Sequence, residues 1–267
     1  MLRVAERTQT YCRGLVVSLK PVFRYALVII AIGVLWKLAA LGLGGIILPH
    51  PEAAVRAFLS AMGTQIFWEH FGVSGYRAVT AMVVAWGVAF PLGLVMGSVK
   101  RVDNLLAPFI FLTYPIPKIV LLPVFLLLFG LGDLAKISMI ALILGYQILV
   151  TTRDGVRSIH PKYSDSVRSL GGSQWDVLCE VLIPAALPHG FTALRLGVGV
   201  SVAVLFFVES FATTRGLGYM IMDAWGAMDY LTMFTGILGM SLMGAALYEI
   251  ANLMERRACT WMFLRKK

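Results

Sequence analysis

Apolar stretches of helical length recur along the whole chain, and they limit the possible folds more than any other feature. Hydrophobic residues fill 59% of the 267 positions and charged residues only 14%, a balance too apolar for a soluble domain of this length. A membrane barrel would show short segments of alternating polarity instead. Because backbone polar groups must be satisfied within the bilayer, the stretches predict spanning helices. The sequence therefore predicts an all-α integral membrane protein.

Six spans fit the hydropathy, separated by short connections. The first stretch is too long for a cleaved signal peptide, so we expect a retained helix. Between the first two spans, a segment that opens on prolines, from Leu48 to Met62, predicts a short helix at the outer surface. The predicted spans are residues 22–43, 71–99, 105–129, 134–152, 191–213 and 231–254, with an N-terminal segment at 1–21, a membrane domain at 22–254 and a basic tail at 255–267.

The formal net charge of +9 follows the positive-inside pattern, so it does not by itself indicate a nucleic-acid partner. Basic residues collect before the first span, after the second, after the fourth and in the tail. The alternate connections hold one basic residue each: Arg56, Lys136 and Arg215. We therefore predict that both termini and the connection after the fourth span are cytoplasmic.

The sequence contains none of the common nucleotide-binding or catalytic motifs. It contains no Gly-x4-Gly-Lys-Ser/Thr phosphate loop, no His-Glu-x2-His and no Gly-x-Ser-x-Gly. Its three cysteines, Cys12, Cys179 and Cys259, are odd in number and lack metal-ligand spacing. We expect no catalysis by this chain and no bound metal or cofactor.

A polar segment from Thr151 to Gly190 interrupts the apolar pattern. Proline after His160 allows a helix to start at Lys162, glycines after Leu170 end it, and Ser173 with Asp176 predicts a capping box for a second helix. Pro184 and Pro188 mark a kinked return to the membrane. The spacing is typical of a docking knob or of an amphipathic surface loop. A DNA-binding helix-turn-helix is excluded, since spans pin both ends.

Within this segment, an acidic residue, a glycine six positions later and an aliphatic-x-aliphatic-Pro ending lie in fixed order at Asp165, Gly171, Val181, Ile183 and Pro184. The order resembles the EAA loop of permease subunits from binding-protein-dependent ABC importers, most of all the nitrate, taurine, aliphatic sulfonate and bicarbonate branch. Motifs elsewhere resemble the same branch: Leu48-Pro-His-Pro51, Pro91-Leu-Gly-Leu94, Pro115-Ile-Pro-Lys118, Leu122-Pro-Val-Phe125, Phe129-Gly-Leu-Gly132, Pro184-Ala-Ala-Leu-Pro188 and Gly216-Leu-Gly-Tyr219.

The resemblance implies a type I importer permease fold of six helices, with a cytoplasmic coupling helix in the loop at 153–190 that sits in a groove of a separate ATPase. It assigns this contact to Asp165, Ser166, Arg168, Gly171, Trp175 and Pro184. The acidic residue is Asp rather than Glu, and Ser166 and Val167 replace two alanines, so docking strength or the choice of ATPase is expected to differ.

The resemblance further implies partners and a location. These are a second permease chain, most simply an identical one; an ATPase dimer that carries ATP and Mg; an extracytoplasmic solute-binding protein; and the lipid of a prokaryotic cell membrane. The implied solute is a small anion, namely a sulfonate, taurine, nitrate or bicarbonate. A vitamin or pyrimidine precursor is the alternative. An ATP-independent channel or secondary transporter would call for an inverted repeat or a relay of membrane carboxylates, which the sequence does not show.

Charged residues inside the spans are candidates for the translocation path. Lys118 follows two prolines in the third span, where a central cation costs about 2.5–3.5 kcal/mol. It either lines an anion path or bonds freed carbonyls. Arg77 and Glu209, in outer parts of their spans, either pair with each other or meet the solute. Arg195 and Lys37 are expected to reach the membrane interfaces.

Small residues four apart predict close helix packing at Gly93 and Gly97, and at Gly197 and Ser201.

Overall fold

The structure, a computed structural model, describes residues 27–44, 47–211 and 213–264. Regular structure in these residues is helical throughout, which confirms the predicted fold class. A 3₁₀ turn, Lys118–Leu121, precedes the fifth helix, and a π-helical turn, Leu178–Leu182, joins the eighth to the ninth. The helices are α1 Leu27–Leu43, α2 Pro51–Ala61, α3 Gln65–Ser98, α4 Lys100–Thr113, α5 Leu122–Phe129, α6 Asp133–Arg157, α7 Pro161–Ser169, α8 Gln174–Val177, α9 Ile183–Glu209, α10 Leu217–Gly226, α11 Tyr230–Ala258 and α12 Thr260–Leu264.

Four helices are long and apolar enough to cross a membrane: α3, α6, α11 and the continuous helix Gln174–Glu209, which includes α8 and α9. The third predicted span is a broken pair, because α4 and the segment Lys118–Phe129 are bent by 87° relative to each other. In the described part of the first predicted span, α1 is a shorter apolar helix. The predicted count of six spans is therefore not confirmed by helix length alone.

Prolines produce the break between α4 and α5. Proline disfavours helix at the residue before it and supplies no backbone N–H, so α4 stops at Thr113, just before Tyr114 and Pro115. Pro117 then caps the 3₁₀ turn in an extended conformation. Gly130, at φ 75°, ends α5, and a short connection leads into α6. The backbone carbonyls of Thr113 and Tyr114, at the bend, accept bonds from the Lys118 side chain.

Glycines let α3, α6 and α9 approach closely. A Cβ on Gly93 would lie 2.7 Å from the Leu149 carbonyl oxygen, and one on Gly97 would lie 2.9 Å from that of Arg153. In α9, Gly197 packs against Leu144 in the same way. The predicted packing role of these glycines is confirmed, and α6 lies between α3 and α9 in the core.

The predicted short helix between the first two spans is α2, which packs against α11. Trp36 of α1 stacks on Phe234, with ring centroids 5.3 Å apart, and its indole N–H donates to the Pro49 carbonyl at 3.1 Å. Lys37 pairs with Glu52 at 2.8 Å, and this bond lowers the pKa of the Glu52 carboxyl. Two ends of the bundle are thus distinct: the α10 end, with α2 and α10, and the α7 end, with α7 and α12.

Candidate functional site

At the α7 end, residues 161–177 form a compact projection, hereafter the knob. Helix α7 begins at Pro161, and His160 caps it by accepting the Lys162 N–H at 3.2 Å. At its other end, the Gly171 N–H bonds to the Arg168 carbonyl at 2.9 Å and the Gly172 N–H to the Val167 carbonyl at 3.0 Å. These two bonds are those of a Schellman motif. The predicted helix and glycine turn are confirmed.

Both glycines of this turn are required by geometry. Gly171 has φ 87°, a left-handed conformation that residues with a Cβ rarely adopt. A Cβ on Gly172 would lie 2.8 Å from the Val167 carbonyl oxygen, closer than a carbon can approach. The turn therefore fixes the direction in which the chain leaves α7.

The predicted capping box is present at α8. Ser173 Oγ accepts the Asp176 N–H at 3.2 Å, and Asp176 accepts the Ser173 N–H at 2.7 Å. The expected second short helix is instead the first turn of the long helix that contains α9. Pro184 lacks an N–H and crowds the carbonyl four residues earlier, and the helix widens into the π-helical turn just before it.

The knob presents a mixed surface of charged and aromatic side chains. Asp165 and Arg168 are exposed and lie 3.8 Å apart, and Ser166 turns back to bond the Lys162 carbonyl at 2.8 Å. Trp175 is 68% exposed and Leu170 is 90% exposed. Large apolar side chains this exposed on a polar element are typical of a protein-docking surface.

A buried ion pair network lies where the membrane helices meet the knob. Asp103, in the first turn of α4, accepts bonds from Arg153 Nε and from Arg153 Nη2, the latter at 3.0 Å. Arg157 Nη2 lies 2.9 Å from the same carboxylate. Arg153 also pairs with Asp154 at 2.7 Å. Both arginines belong to the basic group after the fourth predicted span, which the positive-inside pattern explains. Their pairing with Asp103 was not predicted.

At the α10 end, Arg77 and Glu209 are paired inside the bundle. Arg77 Nη1 donates to Glu209 Oε1 at 2.8 Å, and both side chains are at most 5% exposed. Arg77 Nη2 lies 2.7 Å from Asp133 at the start of α6, and Arg77 Nη1 also donates to the Arg215 carbonyl at 2.9 Å. Of the two possibilities left open by the sequence, the structure supports pairing.

A glycine turn encloses the Glu209 carboxylate. The Gly218 N–H donates to Glu209 Oε2 at 2.9 Å, while Ser74 Oγ donates to the carboxylate at 2.7 Å and accepts the Leu217 N–H at 2.7 Å. Gly216 has φ 121°, and a Cβ there would lie 2.5 Å from the carboxyl carbon. The Gly216-Leu-Gly motif thus has a packing reason: only glycine lets this turn close over Glu209.

A cavity of about 590 Å³ opens beside this cluster, lined by residues that include Arg77, Asp133 and Lys136. Lys136 was predicted to lie in a connection between spans. In the structure, Lys136 is fully buried in the first turn of α6. Its ammonium group donates to the Leu131 carbonyl at 2.6 Å and to the Gly132 carbonyl at 3.3 Å. Lys136 therefore anchors the connection between α5 and α6.

Lys118 lines a different cavity, of about 530 Å³, at the α4–α5 bend. Its ammonium group donates to the carbonyls of Tyr114 and Thr113, at 3.0 and 3.3 Å, and lies 4.2 Å from the centroid of the Tyr146 ring. Gln147 and Thr151 of α6 line the same cavity. The structure thus shows both predicted features of Lys118, bonds to freed carbonyls and a position on a polar cavity.

Arg195 is partly exposed and pairs with a glutamate of α11. Its guanidinium lies 2.7 Å from Glu255 Oε2 of α11, and Thr192 donates to Glu255 Oε1 at 3.4 Å. This pair joins α9 to α11 near the α7 end. In the described residues, no three His, Cys, Asp or Glu side chains cluster as a metal site would require.

Comparison with known proteins identifies the group to which these features belong. Residues 89–258, more than half of the chain, match the family described as binding-protein-dependent transport system inner membrane component. The chain belongs to this family. It is a membrane permease subunit of the ABC importer type. The matched region includes the α4–α5 bend, the knob and Glu209, whereas Ser74 and Arg77 precede it.

Two relatives of this permease align along most of their length. It is 32% identical over 232 residues to the taurine transport system permease protein TauC of Escherichia coli, covering 85% of this chain and 84% of that protein. It is 30% identical over 237 residues to the putative aliphatic sulfonates transport permease protein SsuC of Bacillus subtilis, covering 88% of this chain and 84% of that protein.

The fold is that of a solved importer. An inward-facing structure of the MetNI methionine ABC transporter superposes with a TM-score of 0.62, covering 72% of this permease and 96% of that chain, at 13% identity. The expected importer-permease fold is confirmed.

Proposed function

We propose that this permease forms the translocation path for a small sulfonate-type anion, driven by a separate ATPase that docks on the knob. The observation that carries the proposal is the Lys118 cavity. An ammonium group and polar side chains open into a space lined by helices apolar enough to cross a membrane, where such groups are costly unless they serve a path. The taurine and aliphatic sulfonate permeases to which this chain is similar handle anions of this class.

The knob is the proposed contact with the ATPase. Exposed Trp175 and Leu170 supply apolar area, and Asp165 with Arg168 supplies a charged rim, an arrangement typical of interfaces. Gly171 holds the two helices at a fixed angle. ATP and Mg bind the ATPase chain; its closure moves the knob, and the path changes from inward-facing to outward-facing. We propose that the α7 end, residues 1–21 and the tail 255–267 lie in the cytoplasm, as the positive-inside pattern indicates.

The α10 end then faces the solute-binding protein, and a second copy of the permease completes the path. The Lys118 cavity supports this, because a polar wall at membrane depth is stable only when it faces protein or water rather than lipid. We propose a homodimer whose two Lys118 cavities face a common path within the domain 22–254.

The solute class is tested with proteoliposomes that contain the permease, its ATPase and its binding protein. Uptake of taurine and of a short alkanesulfonate is expected to depend on ATP, with a neutral pyrimidine precursor left outside. Lys118→Met should abolish sulfonate uptake, whereas Lys100→Met, at the exposed start of α4, should not. ATP-driven uptake of the pyrimidine instead of the sulfonate would overturn the assignment, as would normal transport by Lys118→Met.

A further inference from the structure

The network around Asp103 joins two helices that otherwise meet at few points. Asp103 is 3% exposed, although it carries a charge. Both of its carboxylate oxygens accept bonds from α6: Arg153 donates to each, and Arg157 adds a contact at 2.9 Å. The Arg153 guanidinium also lies 5.0 Å from the centroid of the Phe111 ring of α4. The planar, two-pronged geometry fixes both distance and angle between the helices.

The same two helices, with the bend that follows α4, line the Lys118 cavity. Tyr114 and Lys118 come from the end of α4 and the bend that follows it, whereas Tyr146, Gln147 and Thr151 come from α6. Arg153 lies only two residues beyond Thr151. A change in the angle between α4 and α6 at Asp103 therefore changes the width of the cavity.

Helix α6 is also the element that leads into the knob. It ends at Arg157, and α7 begins at Pro161 after three intervening residues. The Ser158 N–H still bonds to the Asp154 carbonyl at 3.0 Å, and the extended His160 then leads directly into α7, so the connection is short. Force applied to α7 reaches Arg153 and Arg157 before it reaches any other contact with α4.

We propose that Asp103 is a positioning residue that transmits movement of the knob to α4, and thereby opens and closes the Lys118 cavity. The inference rests on the proposed function, in which an ATPase moves the knob. A buried ion pair adds little net stability compared with a well-packed apolar pair, and its distinctive property is that it fixes relative positions. Here it fixes the two walls of the path at the end nearest the ATPase.

The test measures solute transported per ATP hydrolysed in proteoliposomes that hold the complete transporter. Asp103→Asn is expected to reduce this ratio about tenfold, within the roughly 5- to 150-fold span of couplings between sites, while ATP hydrolysis continues. The matched control is Glu255→Gln, which removes a carboxylate of similar burial in the α9–α11 pair near the same end. Its ratio should equal that of the unmutated protein.

A double variant separates positioning from folding. Asp103→Asn with Arg153→Gln leaves no buried unpaired charge between the two residues, so its melting temperature should return toward that of the unmutated protein. Its transport-to-hydrolysis ratio should stay low, because the geometry is still lost. A ratio that recovers with stability would overturn the proposal, as would an unchanged ratio in Asp103→Asn. Failure of the proposed function is distinguishable: the unmutated chain would then bind no ATPase at all.

Discussion

The Glu209 cluster makes a sharp prediction, because one carboxylate there accepts bonds from three groups at once. Ser74 Oγ, Arg77 Nη1 and the Gly218 N–H all donate to it. In Glu209→Gln the amide nitrogen must face at least one of these donors, and the charge that balances Arg77 is lost. Breaking a buried pair on one side costs about 3–5 kcal/mol.

For a chain of this size, that loss corresponds to a fall in melting temperature of about 6–20 °C. The assay is the thermal unfolding of detergent-purified protein, followed by loss of the monodisperse peak on size exclusion. The matched control is Glu249→Gln, an exposed glutamate of α11, which should stay within about 0.5 kcal/mol of the unmutated protein. If Glu209→Gln melted normally but failed to transport, Glu209 would contact the solute. Its role in holding the turn at Gly216 would then be refuted.

Further expectations concern packing, docking and thiol chemistry. Gly97→Ala should destabilise the bundle by about 1–3 kcal/mol, because the added Cβ meets Arg153 and Val156. Gly87→Ala, which has open space around it, should leave the stability unchanged, and thermal unfolding of the two variants measures the difference. Gly172→Ala should weaken ATPase co-purification without loss of the folded permease, since it distorts only the knob's turn. Burial raises the pKa of the Cys259 thiol to about 11, so at pH 7 maleimide should label it far more slowly than half-buried Cys179, as peptide mass spectrometry would measure; equal rates would contradict this burial.

Local patterns in the sequence predicted the knob because its structure is set by neighbouring residues. The capping box at Ser173 and the turn at Gly171 depend on bonds that reach at most five residues along the chain. Packing of Gly93 and Gly97 was likewise predictable from their spacing. The resemblance to the family then added what spacing left open, namely the expectation that an ATPase docks on the knob.

Long-range ion pairs were not predictable in the same way. Asp103 and Arg153 are 50 residues apart, and each reads as a surface charge beside a span. Lys136 was missed for a related reason: a basic residue beside the start of a predicted span is typical of a connection, but here the carbonyls of a tight connection bind it in the interior. The sequence offered only a weak signal for the Asp103 pair. Asp103 lies just before the start of a predicted span, and a basic group lies at the cytoplasmic end predicted for a later span.

The pairing of Arg77 with Glu209 was one of two possibilities, and only the fold could choose between them. The turn at Gly216 favours the pairing, because it closes over the Glu209 carboxylate, whereas Arg77 also lines the neighbouring cavity. Of the three residues proposed for the path, Lys118 alone keeps a side chain on a polar cavity without a carboxylate partner among the described residues.

Co-purification is the strongest test of whether an ATPase drives this permease through the knob. The permease is expressed with its candidate ATPase, extracted in detergent, and the eluted subunits are quantified for the unmutated chain, Gly171→Pro and the control Gly87→Ala. We expect stoichiometric amounts of ATPase to elute with the unmutated chain and with the control. Little ATPase should elute with Gly171→Pro, although that permease remains folded. Absence of ATPase from the unmutated chain, or equal ATPase in all three samples, would contradict this expectation.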